Sequence, residues 1–288
     1  MKNQDLRNIV WINFAMLCIS TSGALGRYID LPPPLTIWCR AGFALLFLGI
    51  FCWWKKYPFR FSLAKHGFTI FLTGILLTVH WVSYFYALQW SNVAIGMLSL
   101  FCYPILTTLL EPIFFKTKFQ QFHLLLGAVI LLGIYFLVPN FDLEDGMTQG
   151  LLMGLLSAVS YAIRNLILKA KIEEFNGSSL MFYQMAVMLA LLLPVLFYYE
   201  TGSVASQLPY IIFLGLITTA VGHTLFLNSF KHFSISTASI MSSMQPIFGI
   251  IIAMIFLQEM PSWRSLIGGT LILLTVIVES LRTVKNKN

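Results

Sequence analysis

Residues 92–138 read NVAIGMLSLFCYPILTTLLEPIFFKTKFQQFHLLLGAVILLGIYFLV, and residues 234–280 read SISTASIMSSMQPIFGIIIAMIFLQEMPSWRSLIGGTLILLTVIVES. Laid over one another without a gap, at an offset of 142, they put Pro104 on Pro246, Ile105 on Ile247 and Gly127 on Gly269, and Ile130-Leu131-Leu132 on Ile272-Leu273-Leu274. A match at one fixed offset is the mark of an internal duplication. The apolar runs in both copies lack strand-like alternation, so they read as helices of membrane length. An open sheet would leave backbone groups unpaired in lipid. Outward from this match, ten helices are predicted, at roughly 9–29, 34–54, 68–88, 93–114, 122–139, 149–170, 177–198, 209–228, 234–256 and 263–281. Each half holds five, and five is odd. The second half therefore enters the membrane from the opposite side. The expected fold is an all-α integral membrane protein of ten transmembrane helices, arranged as two inverted five-helix repeats over 1–139 and 140–288.

Composition leads to the same solvent. The chain is 58% hydrophobic and 10% charged, with a mean hydropathy of +0.82, whereas soluble domains carry about 25% charged residues. The net charge of +7 is spread through short loops, so it reads as membrane topology and no nucleic-acid partner is expected. With the N-terminus in the cytoplasm, 14 of the 18 Lys and Arg fall on the cytoplasmic side: Lys2, Arg7, Lys55, Lys56, Arg60, Lys65, Lys116, Lys118, Lys169, Lys171, Lys231, Arg282, Lys285 and Lys287. The opposite loops hold Asp30, Asp142, Glu144, Asp145, Glu200 and Glu259. Both termini are expected in the cytoplasm and the chain in the cytoplasmic (inner) membrane. With no small-residue cleavage site after the first span, that span is expected to be retained. Cys18, Cys39, Cys52 and Cys102 lie in apolar runs with no CxxC spacing and read as small buried thiols. Trp53-Trp54, Trp90, Tyr198-Tyr199 and Trp263 fall where interfacial aromatic belts belong.

Ionisable groups within apolar spans are costly, which makes each a candidate for function. His80 lies mid-way along the third helix, with Tyr84 one turn on, Thr73 on the same face and Trp81 beside it. A structural imidazole and a pathway imidazole remain alternatives. His223, in the eighth helix, lies one step from the repeat equivalent of His80, and its strict partner is Trp81. It reads either as a pathway residue or as a helix-packing hydrogen-bond former. Arg27 and Arg164 are a repeat pair at an offset of 137, near opposite ends of their helices, and either snorkel to the interface or serve the pathway. Arg40, two turns into the second helix, pairs with Asp30 or faces an outer vestibule. Pro104 and Pro246 free a carbonyl one turn back, and with Ser99, Ser236, Ser239, Ser242 and Ser243 nearby they form either packing faces or a flexing gate. Glu111 reads as a salt-bridge partner of Lys116 or Lys118, or as a proton site. Nucleotide-binding, HExxH, GxSxG and aspartate-rich metal motifs do not occur in the chain. No catalytic residue, metal or cofactor is therefore assigned.

These residues resemble a known family. Trp38-Cys39-Arg40-Ala41-Gly42, the run His80 to Leu88, Tyr103-Pro104 through Leu110-Glu111-Pro112, and Gln245-Pro246 through Leu257-Gln258-Glu259 followed by Ile267-Gly268-Gly269 are similar to EamA-type members of the drug/metabolite transporter superfamily. The resemblance covers about residues 9–281. The family often has Glu-Pro where this chain has Gln245-Pro246. The resemblance implies export of amino acids or related small metabolites through a central cavity, by alternating access. The residues expected to line that cavity are His80, Trp81, Tyr84, Tyr103, Tyr161, Asn165, Gln184, His223 and Gln245, with Pro104, Pro246 and Arg40 in gating or packing. A static structure is expected to show the cavity open to one side. The expected partners are a small-molecule substrate and the lipid bilayer, with the chain a monomer or a homodimer. The competing readings are exchange or import of another metabolite or anion, a membrane-embedded transferase, and a scaffold that transports nothing.

Overall fold

The structure, a computed structural model, describes residues 3–57, 63–116, 121–138, 140–169, 176–229 and 241–285. Ser236, Ser239, Lys2, Arg60, Lys118, Lys171, Lys231 and Lys287 lie outside the described residues, as does the 234–240 part of the duplicated match. Among the described residues every regular element is helical. The first three spans are Asn3–Tyr28, Pro33–Trp54 and Leu63–Trp90. The fourth is in two pieces, Val93–Leu100 and Tyr103–Phe115, and the fifth is Phe122–Leu137. The sixth is Gly146–Lys169, and the seventh is Gly177–Leu192 with the short turn Val195–Tyr198. The eighth runs through Val204–Phe213, Leu214–His223 and Thr224–Ser229, the ninth is Met244–Phe256, and the tenth is Trp263–Lys285.

Seven of these helices are both long and apolar enough to cross a bilayer, and Phe122–Leu137 and Met244–Phe256 are shorter apolar helices. The tenth is more polar, carrying Arg264, Glu279 and Arg282. The exterior is apolar: Phe197 is 88% exposed, and Leu46, Ile50, Leu131 and Ile255 also face outward. Arg40, Arg164, His80, Thr73 and Gln184 are buried instead. A protein in water would distribute these residues the other way, so the chain is an integral membrane protein.

Local sequence explains the element ends. Pro33 and Pro34 open the second helix, where a missing N–H costs nothing. Asn92 caps the fourth span by accepting from Ile95 N at 2.9 Å, and Asn176 caps the seventh by accepting from Ser178 N at 3.0 Å. The two prolines of the duplication do not sit in kinked helix interiors. The fourth span breaks at Phe101-Cys102, and Pro104 is the second residue of a fresh 13-residue helix. Pro246 is likewise in the first turn of a 13-residue helix that starts after Ser243. Proline fits there because first-turn N–H groups have no intrahelical acceptor. Both helices end on left-handed residues, Lys116 (φ 54°) and Gln258 (φ 57°), which are themselves 142 apart. The duplication is thus visible in the backbone.

Helix neighbours repeat as well. The first span lies on the ninth as the sixth lies on the fourth; the third lies on the sixth as the eighth lies on the first. The third also meets the seventh as the eighth meets the second, while the second–seventh and fifth–tenth pairs map onto themselves. Exchanging the halves leaves these pairings unchanged, which is what a two-fold relation between two five-helix repeats requires. The fifth and tenth spans touch at glycine: a Cβ on Gly268 would stand 2.5 Å from Gly133 O. In the eighth span, Leu214–His223 is a π-helix, and Thr219 Oγ1 donates to Leu214 O at 2.9 Å. Such segments are rare and often mark functional sites.

Candidate transport site

Arg40 points from the second helix into the centre and is 1% exposed. Its guanidinium lies 3.8 Å from the centroid of the Trp81 ring, and Nε donates to Thr219 Oγ1 at 2.8 Å. The π-helix supplies that hydroxyl. Asp30 is not its partner, and among the described residues no carboxylate pairs with it. Arg40 faces the centre, not an outer vestibule.

His80 is fixed from the sixth helix. Ser157 Oγ lies 2.7 Å from His80 Nδ1 and donates to His80 O at 2.9 Å. A serine hydroxyl has one proton, and it is committed to that carbonyl. Nδ1 must then carry the imidazole proton and donate to Ser157 Oγ, leaving Nε2 as an acceptor. The ring stacks on Tyr161 at 4.4 Å, and Tyr161 meets Tyr103 edge-on at 4.9 Å. Tyr103 Oη lies 3.1 Å from Ser242 Oγ. Trp81 and His223, the strict repeat partners, touch at 5.5 Å between ring centroids. Gln245 Nε2 donates to Met16 Sδ at 3.1 Å. The Tyr84 hydroxyl is buried close to Ser22.

These groups surround a small central cavity of about 30 Å³, lined by Ile19, Ser22, Arg40, His80, Trp81, Tyr84, Met97, Leu100, Phe101, Tyr103, Tyr161, His223 and Gln245. That is room for about one water, much less than the one-sided chamber expected from the sequence. The helices must part before a metabolite can enter.

Seven of the nine residues expected at the cavity are on its wall; Asn165 and Gln184 are not. They hold Arg164 instead. Gln184 Oε1 accepts from Arg164 at 2.7 Å, its Nε2 donates to Thr73 Oγ1 at 2.8 Å, and Asn165 Oδ1 accepts from Arg164 at 3.3 Å. Arg164 is 4% exposed, so it does not snorkel. Its guanidinium carbon stands 5.8 Å from the Tyr161 ring centroid. The bond from Gln184 in the seventh span to Thr73 in the third and the bond from Arg40 in the second to Thr219 in the eighth join repeat-related pairs of helices, though not through residues at matching offsets. Sequence reasoning missed Ser22, Ser157 and Thr219. One signal for Ser157 was present: it lies 137 residues after Ser20, the spacing of Arg27 and Arg164.

Arg27, half-buried, is held in place at its end of the first helix. Nε donates to Glu259 Oε1 at 2.8 Å and Nη1 to Gln89 O at 2.7 Å. The other Glu259 oxygen accepts from Val93 N at 3.1 Å, at the start of the fourth span. This latch borders a second pocket of about 280 Å³, lined also by Ser91, Asn92, Met147 and Pro261, at the acidic end of the bundle. At the basic end, His123 Nε2 lies 3.2 Å from Glu279 Oε1, between the fifth and tenth spans. Lys118, one expected partner of Glu111, lies outside the described residues.

The profile of the EamA-like transporter family matches residues 6–138 and 148–281. The chain belongs to the EamA-like transporter family. Its two matched stretches are the two halves whose helix pairing repeats. This EamA-like chain is 28% identical over 196 residues to an uncharacterized transporter of Archaeoglobus fulgidus, covering 68% of this chain and 70% of that protein. It is 24% identical over 223 residues to the uncharacterized transporter YwfM of Bacillus subtilis, covering 76% and 75% of the two chains. A crystal structure of another protein superposes with a TM-score of 0.67 at 17% identity, covering 96% of this chain and 98% of that one, and shows the fold alone. The EamA-like family and these relatives make the protein a membrane transporter, not an enzyme.

Proposed function

We propose that this EamA-like protein is a secondary transporter that exports amino acids or related small metabolites by alternating access. The observation that carries this reading is the composition of the central cavity wall, which joins Arg40, His80, Trp81 and Tyr84 of the first half to Tyr161, His223 and Gln245 of the second. A substrate held there touches both repeats, so relative motion of the repeats changes the side from which it is reached. We place the units at 1–139 and 140–288, related by an axis in the membrane plane, in the cytoplasmic membrane with both termini in the cytoplasm. The clustering of Lys55, Lys56, Lys116 and Arg282 at one end and of Asp30, Asp142, Asp145 and Glu200 at the other supports this orientation. Rings supply shape, while the amide and imidazole groups orient a polar substrate.

Metabolite profiling of cells with and without the chain tests the reading. The expected result is a small metabolite that accumulates outside expressing cells and is retained in cells expressing His80→Ala at equal membrane abundance. Identical profiles for cells with and without the chain would refute transport. Two buried guanidinium groups near the cavity specifically favour a substrate carrying negative charge.

A further inference from the structure

We infer that the central site takes a small organic anion, its acidic group seated on Arg40 and its carbon body lying against the rings of Trp81 and Tyr161, and that it discriminates against a substrate bearing an ammonium group. This rests on the transport reading and, within it, favours related small metabolites that lack an ammonium group over amino acids.

The first argument is charge balance. Arg40 lines the cavity and Arg164 approaches the same aromatic cluster from behind Tyr161. A guanidinium stays protonated in proteins. Each is tied to neutral partners, Thr219 for Arg40 and Gln184 with Asn165 for Arg164. Among the described residues neither has a carboxylate partner, and the described cavity wall contains no Asp or Glu. Two uncompensated positive charges at membrane depth are costly. A ligand that brings one negative charge lowers that cost. A zwitterion brings an ammonium group into the same positive field, where no carboxylate answers it.

The second argument is hydrogen bonding. Arg40 commits Nε to Thr219, and among the described residues its two Nη groups meet no acceptor. The guanidinium fork matches a carboxylate, sulfonate or phosphate edge. The Tyr84 hydroxyl shares the cavity wall with Ser22 and can turn to donate to the same anion. The third is shape. The rings of Trp81, Tyr84, Tyr103 and Tyr161 bound the cavity and offer apolar surface to the body of the anion.

Three probes with a common carbon frame separate the charge classes: 3-phenylpropionate (anion), phenylalanine (zwitterion) and phenethylamine (cation). Each is added at millimolar concentration to the purified full chain in detergent, and thermal unfolding is followed. The anion is expected to raise the unfolding midpoint on the order of 3 °C, with the zwitterion and cation giving little or no rise. Arg40→Gln should abolish the response, and Arg40→Lys should keep part of it. Because the ranking is read on the unaltered protein, it survives a variant that fails to fold. Stabilisation by phenylalanine equal to or above that by 3-phenylpropionate overturns the anion assignment. So does the absence of any response to the anion, or a full response in a folded Arg40→Gln protein. Metabolite profiling reports separately on transport. An exported zwitterion would sink this inference alone, and an unchanged profile would sink the transport reading beneath it.

Discussion

Arg27 and Arg164 occupy equivalent points of the two halves, yet the protein partners them differently. Arg27 meets a carboxylate, Glu259, while Arg164 meets only amides and a thioether. The ion pair is partly exposed, so its stability contribution is small. A double-mutant cycle of Arg27→Ala and Glu259→Gln in thermal unfolding should give a coupling of about 0.5–1 kcal/mol; strictly additive effects would show the pair to be inert. Ser157→Ala is the sharper test of the buried network. It removes the group that fixes the His80 tautomer and the closer of two hydroxyl donors to His80 O. A loss of about 1–3 kcal/mol is expected by thermal unfolding, and an unchanged midpoint would contradict the assigned bond. His80 was legible because an imidazole is conspicuous in an apolar run. Ser157 was not, because serine in a membrane helix most often bonds back to its own turn. Gln184 was misread as cavity wall because the sequence does not reveal that Arg164 turns inward to claim it.

At the scale of elements, the duplication was readable as equal spacing of prolines and glycines, and the helices fall where hydropathy puts them. The break at Phe101-Cys102 was not readable, since Tyr103-Pro104 suits a kinked helix and a restarted one equally well. The π-helix of Leu214–His223 escaped for the same kind of reason: its composition is that of any apolar span, and only the structure shows its wider turn, packed against the first and second helices. The glycine crossing yields a direct test. Gly268→Val would drive a branched side chain into Gly133 O, where no flexible atom can yield. A destabilisation of about 1–3 kcal/mol is expected, read as a lower unfolding midpoint and a smaller folded yield. Gly202→Ala, where a Cβ meets nothing, should be silent by comparison.

For the whole molecule, ten spans and their inversion follow from counting crossings, and the repeated helix pairing supports the two-fold relation of the halves with independent contacts. A reporter fused to the C-terminus should be active only in its cytoplasmic form, and one inserted at Asp142–Asp145 only in its external form. The reverse result would overturn the orientation. The size of the central cavity was beyond the sequence, because it depends on how closely the halves approach and not on which residues they carry. Finally, the two faces are not closed alike. Glu259 joins Arg27 to the start of the fourth span, whereas the first half has Lys116 and Thr117 at the places of Gln258 and Glu259. One end therefore has a latch that its counterpart lacks by sequence. If the latch is worth about 1 kcal/mol, the resting population leans roughly fivefold toward the form closed at the acidic end. A carrier biased in this way shows unequal initial rates when saturating cargo is supplied to one face or to the other, although equal concentrations on both sides give no net movement. Glu259→Gln should bring the two speeds, measured in right-side-out and inverted vesicles, closer together.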